Sequence, residues 1–184
     1  MDENQELALS FSKIKQYLAT NQIQEFRDSF LDLHLYEQGE FYQSLTQEER
    51  VHLYSYLSPK EVADAFDLIE EDKETITDYL SEMRPSYAAA MLSAMYTDNA
   101  VDFLNLLGKK ETAKYLSLMS NEEAAEIKEL LHYEDDTAGS IMTTEYVSIV
   151  ANQTVRSAMH VLKGEAAFAE TIYYIYVVNQ ENQL

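Results

Sequence analysis

One twelve-residue unit occurs four times in succession in the middle of this chain, as Arg84–Met95, Tyr96–Leu107, Gly108–Met119 and Ser120–Leu131. Each unit opens on a helix starter or breaker and closes on a large apolar residue, and Met83 closes the stretch before them. The fifth position reads Ala88, Ala100, Thr112 and Ala124, and the ninth reads Leu92, Leu104, Leu116 and Lys128. The same frame recurs upstream as Thr46–Leu57 and Ser58–Ile69, followed by Glu70–Met83, which matches poorly and carries two extra residues. A short helical period of this kind predicts a solenoid of stacked helices, which builds an extended surface and not one enclosed catalytic pocket.

Twelve residues make about 3.3 helical turns, so one unbroken helix would rotate its apolar stripe steadily out of register. The chain breaks the helix once per unit instead. Ser58-Pro59, Pro85, Gly108 and Ser120-Asn121 sit at unit starts, and Thr46…Glu49, Ser58…Glu61 and Ser120…Glu123 have capping-box spacing. A helix of about nine residues spans only about 13 Å and is marginal alone in water. Each must therefore be held by neighbours that bury positions five, nine and twelve.

Residues 1–45 read as helices, with Leu7, Phe11, Ile14 and Leu18, then Ile23, Phe26, Phe30 and Leu33, at helical spacing. Gly39 is expected to break between them and the array. After the repeats, His132–Ser140 is acidic and aperiodic and reads as a connector. The period then changes. Tyr146–Val150 is a short strand, Thr154–Lys163 an amphipathic helix with Val155, Ala158, Met159 and Leu162 inward, and Thr171–Val178 a strongly β-prone run. The expected organisation is a helical domain over 1–131, with repeats over 46–131, and a connector with an incomplete α/β domain over 132–184. A fully apolar strand such as Thr171–Val178 expects further strands beside it, and an unpaired edge there is an aggregation hazard.

Asp and Glu outnumber Lys and Arg 33 to 13, for a formal net charge of −20. That balance argues against a nucleic-acid partner and against binding an anionic membrane surface. It leaves cations, basic proteins or solubility alone. There is no cysteine, which removes disulfides, thiolate metal sites and thiol nucleophiles. The N-terminus is acidic and unlike a secretory signal, and the longest apolar run, Ile172–Val178, is seven residues and too short to span a bilayer. The expectation is a soluble polypeptide of a reducing compartment.

Catalysis finds little support. His34, His52, His132 and His160 are scattered without ligand spacing, and Gly39, Gly108, Gly139 and Gly164 are isolated, so no phosphate-cradling loop is present and no enzyme is expected. The carboxylates carry more. Asp64 and Asp102 both occupy the seventh position of their units, mid-helix, where Asp is a poor helix former. Asp98 and Asp102 lie four apart on one helix face, a repulsion of a few tenths of a kcal/mol unless a cation sits against them. A helix dipole accounts for Asp98 and a solvated face for Asp102 without any ligand. Read as ligands, Asp64, Asp98 and Asp102 are hard oxygen donors suited to Mg²⁺ or Ca²⁺ and not to zinc.

The segment Tyr133–Val147 (YEDDTAGSIMTTEYV) resembles the junction between the N domain and the first CBS domain of MgtE-type magnesium transporters. Glu170–Val178 (ETIYYIYVV) resembles the second strand of that CBS domain, and the array of short helices resembles the N domain, a right-handed superhelix. The resemblance implies a mainly α solenoid followed by a partial CBS domain. It also implies a Mg²⁺-sensing, gating part of a homodimeric channel on the cytoplasmic side of the bacterial cell membrane. In that family Mg²⁺ ions between acidic faces of the N and CBS domains hold a closed form. Alignment through the connector puts Asp64, Asp98 and Asp102 on acidic positions of that kind. The implied partners are Mg²⁺, the remaining CBS domains and the transmembrane pore, with no direct insertion of these residues into the membrane. Nucleotide binding would need a second CBS module. Ser140 and Thr144 depart from the family, which commonly has glycine and proline there. Two other readings stand beside this one: a helical scaffold for a basic protein, and a CBS-type adenylate-sensing regulatory module.

Overall fold

A computed structural model describes residues 3–133, 137–166, 169 and 172–184. Among them the fold is mainly helical, with eleven α-helices and two short strands. α1 (Glu3–Ala19) and α2 (Ile23–Leu31) pack on each other. Between them Asn21 takes a left-handed φ of 56°, which asparagine tolerates, and its Oδ1 accepts a 2.7 Å hydrogen bond from the Tyr56 hydroxyl.

Eight short helices follow: α3 (Leu35–Gln43), α4 (Gln47–Tyr56), α5 (Pro59–Phe66), α6 (Lys73–Glu82), α7 (Pro85–Leu92), α8 (Thr97–Leu106), α9 (Lys109–Leu116) and α10 (Asn121–Leu130). Successive starts are twelve residues apart except at Lys73, which follows by fourteen. The capping boxes at Thr46, Ser58 and Ser120 all form, and Pro59 and Pro85 open their helices. At positions five and nine, Ala88, Leu92, Ala100 and Leu104 are buried, whereas towards the end of the array Leu116 is half-buried and Lys128 exposed.

The array differs from the sequence reading in two respects. It begins one unit earlier, at His34, whose side chain and Glu37 form a capping box of their own. Gly39 does not break the chain; it lies buried inside α3. An added Cβ there would meet the Ala65 carbonyl and Ile69 at 3.5 Å, ordinary van der Waals contact, which shows how closely α3 packs on α5. Secondly, the structural repeat is a pair of helices. α3, α5, α7 and α9 stack on one another in sequence, and so do α4, α6, α8 and α10. Helices of the first layer end on right-handed residues (Ser44, Asp67, Ser93, Ser117), whereas α4, α6 and α8 end on extended Leu57, Met83 and Leu107. Both layers bury equivalent positions, so the period visible in sequence is half the structural one.

Arg50 stands at the fifth position of its unit, where apolar residues are usual. Its guanidinium makes two hydrogen bonds to Glu82, of 2.8 and 2.6 Å, donates to the Leu45 carbonyl (2.6 Å), and lies 4.7 Å from the Tyr79 ring centre. The pair bolts α4 to α6.

After the array, Ala138–Ile141 forms a short 3₁₀ turn in which any side chain at Gly139 would overlap the Tyr133 ring. β1 (Ser148–Val150), α11 (Val155–Glu165, capped by Thr154) and β2 (Tyr176–Val178) make a β-α-β piece. The strands are parallel, with Ser148 opposite Tyr176 and Val150 opposite Val178. The second strand is shorter than the expected Thr171–Val178, of which residue 171 lies outside the described set. The expected inward face of α11 is only half realised. Ala158 and Leu162 are half-buried, but Val155 is 81% and Met159 46% exposed, because two strands are too narrow to cover a helix. Among the described residues no helix is long and apolar enough to cross a membrane.

Candidate functional site

The acidic residues singled out in sequence lie on α5 and α8, which belong to different layers of the array. Asp64 projects from α5 with its side chain 39% exposed and is already paired, through Lys60 Nζ one turn earlier, at 3.1 Å. Asp98 lies half-buried in the first turn of α8, and Asp102, one turn on, is exposed. Asp102 lines a groove of about 900 Å³ together with Glu40, Asp67, Glu70 and Asn99. Among the described residues, no three acidic or imidazole side chains converge as a metal site would require. Asp64, Asp98 and Asp102 thus lie along an acidic face and are not gathered into one site among the described residues.

Asp67 ties that face together, and the sequence reading missed it. It ends α5, and its Oδ1 accepts from the Tyr96 amide (3.1 Å) and from Asn99 Nδ2 (3.1 Å), across to α8. Burial pushes its carboxyl up, the two hydrogen bonds oppose this, and the charges of Asp64 and Asp98 push further, to a pKa of about 6. Asp98 is raised as well, first by burial and then by the charge of Glu145, against backbone hydrogen bonds from Asn99 and from its own amide. One signal could have exposed Asp67: an acid at a helix C-terminus opposes the helix dipole and asks for a reason.

Glu145 is the second omission. It belongs to the connector, yet it accepts from the Thr97 amide (3.2 Å) and the Thr97 hydroxyl (2.6 Å) at the start of α8, and from the Thr143 hydroxyl (2.8 Å). Burial alone would raise its pKa; these hydrogen bonds outweigh burial and hold it below the ordinary carboxylate value. Glu145 and Asp98 are therefore neighbours with opposite proton affinities.

The pattern that defines the MgtE intracellular N domain matches residues 33–136, which begins where the array begins, one residue before the His34 cap. The chain belongs to the MgtE family. A magnesium transporter MgtE from Enterococcus faecalis is 68% identical over all 184 residues, and one from Bacillus subtilis is 28% identical over 91% of the chain. The chain spans about two-fifths of the length of these curated relatives, 41% and 37%. The crystal structure of the soluble part of a magnesium transporter superposes with a TM-score of 0.94 at 68% identity, over 97% of this chain and 70% of that one. The cytosolic domain of the Mg²⁺ channel MgtE in complex with ATP superposes with a TM-score of 0.78 at 26% identity, over 95% of this chain and 71% of that one. Asp67, Asp98 and Asp102 present carboxylate oxygens, the donor type that hard cations take.

Proposed function

We propose that this chain is the magnesium-sensing part of an MgtE transporter, held on the cytoplasmic side of the bacterial membrane. In this reading residues 1–131 are the helical N domain, and 132–184 are the connector and the start of the first CBS domain. The observation that carries the proposal is the pair of half-buried carboxylates, Asp67 and Asp98, whose raised proton affinities mark negative charge short of a counterion. Asp64, Asp98 and Asp102 would hold Mg²⁺, with Asp67 behind them, and the ion's other ligands would be waters and carboxylates of the segment that faces this one. A small hard cation that keeps part of its water shell suits so open a face. Bound there, the ion supplies positive charge that lets two acidic surfaces touch.

The magnitudes suffice for gating. Two facing carboxylates about 6 Å apart repel by roughly 3 kcal/mol at an effective dielectric of 20. One ion bound only to the closed form, at about ten times its Kd, contributes roughly 1.4 kcal/mol. About four such sites reach the roughly 5.5 kcal/mol that moves a switch from 1:99 to 99:1. The remaining CBS domains, the pore and a second subunit of a homodimer are the proposed partners.

Amide NMR of the 184-residue protein during a MgCl₂ titration tests the proposal. Saturable shifts at residues 64, 67, 98 and 102 that weaken in the Asp98→Asn/Asp102→Asn variant are expected. Equal shifts in NaCl of matched ionic strength would contradict a specific site, and shifts produced only by a basic peptide would favour the scaffold reading.

A further inference from the structure

The start of α8 is capped in part from outside the array: Asp67 at the end of α5 takes the Tyr96 amide, but the next donor goes elsewhere. The N-cap residue, Tyr96, supplies no capping hydrogen bond from its side chain, whereas α3, α4, α5 and α10 each carry their own capping box. The Thr97 amide, one of the donors that a helix start leaves unsatisfied, is instead taken by Glu145, 48 residues further along. The Thr97 hydroxyl donates to the same carboxylate oxygen at 2.6 Å, and the Thr143 hydroxyl donates to the other oxygen at 2.8 Å. The Thr143 hydroxyl in turn accepts from the Glu145 amide (3.2 Å), and Thr144 donates to the Thr97 hydroxyl (3.2 Å). Thr97 is 7% and Val147 1% exposed, so the knot is bounded by packed residues.

Its position gives it consequence. Val147 follows Glu145 by two residues, its carbonyl accepts from the Tyr176 amide, and β1 begins at the next residue. The main packings of the β-α-β piece are internal, α11 on β1 and β1 on β2. The polar knot at Thr97 therefore joins the helical array to the piece that follows.

We propose that Glu145 is a latch: by capping α8 it fixes the orientation of the β-α-β piece relative to the helical array, and its release frees that piece to swing about residues 137–147. The latch exchanges one acceptor for another. Once Glu145 leaves, water satisfies the Thr97 amide, so opening costs a cap and not a core. A joint of that strength opens and closes reversibly, as a moving regulatory arm requires. The geometry stands whether or not the acidic face binds an ion.

The test uses the natural absence of cysteine. Spin labels at Lys110→Cys in α9 and Arg156→Cys in α11, both exposed positions, report the distance between array and β-α-β piece. The labelled parent is expected to give one narrow distance distribution. Glu145→Ala and Thr97→Val should each give one roughly twofold broader, as a joint that gains hinge motion does. Thr97→Ser keeps the hydroxyl and should restore the narrow form. In parallel, exchange of the Thr97 amide should accelerate roughly tenfold in Glu145→Ala, with helices α3–α7 unchanged. A broad distribution in the parent, or the same narrow one in the parent, Glu145→Ala and Thr97→Val, overturns the latch. Should Glu145→Ala lose its helical signal, Thr97→Val against Thr97→Ser decides alone.

Discussion

Asp67 holds its charge at a cost. Its folded pKa of about 6 stands above the ordinary 3.8. Below about pH 4 it is protonated folded and unfolded alike and costs nothing; the cost grows between pH 4 and pH 6 and is constant above. Stability attributable to this group therefore falls as pH rises through that window. Asp67→Asn keeps an acceptor for Tyr96 and Asn99 but removes the charge. It should stabilise the protein by about 2 kcal/mol at pH 7, after allowance for partial solvent screening, and by close to nothing at pH 4. Urea titrations of the two proteins at both pH values measure this, and equal stabilities at pH 7 would show that the site does not strain the charge. At this scale the sequence was partly legible. Asp64, Asp98 and Asp102 stood out because helical spacing is visible in one dimension. Asp67 and Glu145 did not, because each acts on α8 from another element, a relation that no local spacing encodes.

At the scale of elements, caps and one buried ion pair hold the register. Glu82 is 4% exposed at its side chain, so Arg50→Ala would strand a buried carboxylate and should cost about 3–5 kcal/mol, read as a lower urea midpoint. Arg50→Met with Glu82→Leu should recover much of that loss, since a well-packed apolar pair leaves no charge unpaired. Ser120→Ala, which removes one capping box, should cost about 1 kcal/mol. The helix breaks were legible because serine, threonine and proline start helices for reasons that need no tertiary context. α3 was not, because histidine is an unusual cap and a central glycine looks like a break until α5 is seen against it. The pairing of layers also escaped, since α6 and α8 bury the same fifth and ninth positions as α5 and α7 and differ mainly in how they end.

At the scale of the molecule, the helical array packs a continuous core while the β-α-β piece leaves Tyr173 85%, Tyr174 77% and Val177 51% exposed. Of these only Val177 lies in a strand, β2, whose exposed apolar face invites pairing with another copy. Val177→Lys should therefore lower self-association at high concentration, as sedimentation would show, without moving the unfolding midpoint of the array. The composition already pointed at the array's other property, a strongly negative surface. Stability linkage tests the proposed magnesium sensing by that surface directly on this chain. In urea titrations, MgCl₂ at about ten times its Kd should raise the stability of the parent by roughly 1.4 kcal/mol beyond NaCl of equal ionic strength. Asp98→Asn/Asp102→Asn should start from a higher baseline, freed of repulsion, and lose that increment. Equal stabilisation of the parent by the two salts, or an increment that survives in the double variant, would contradict it.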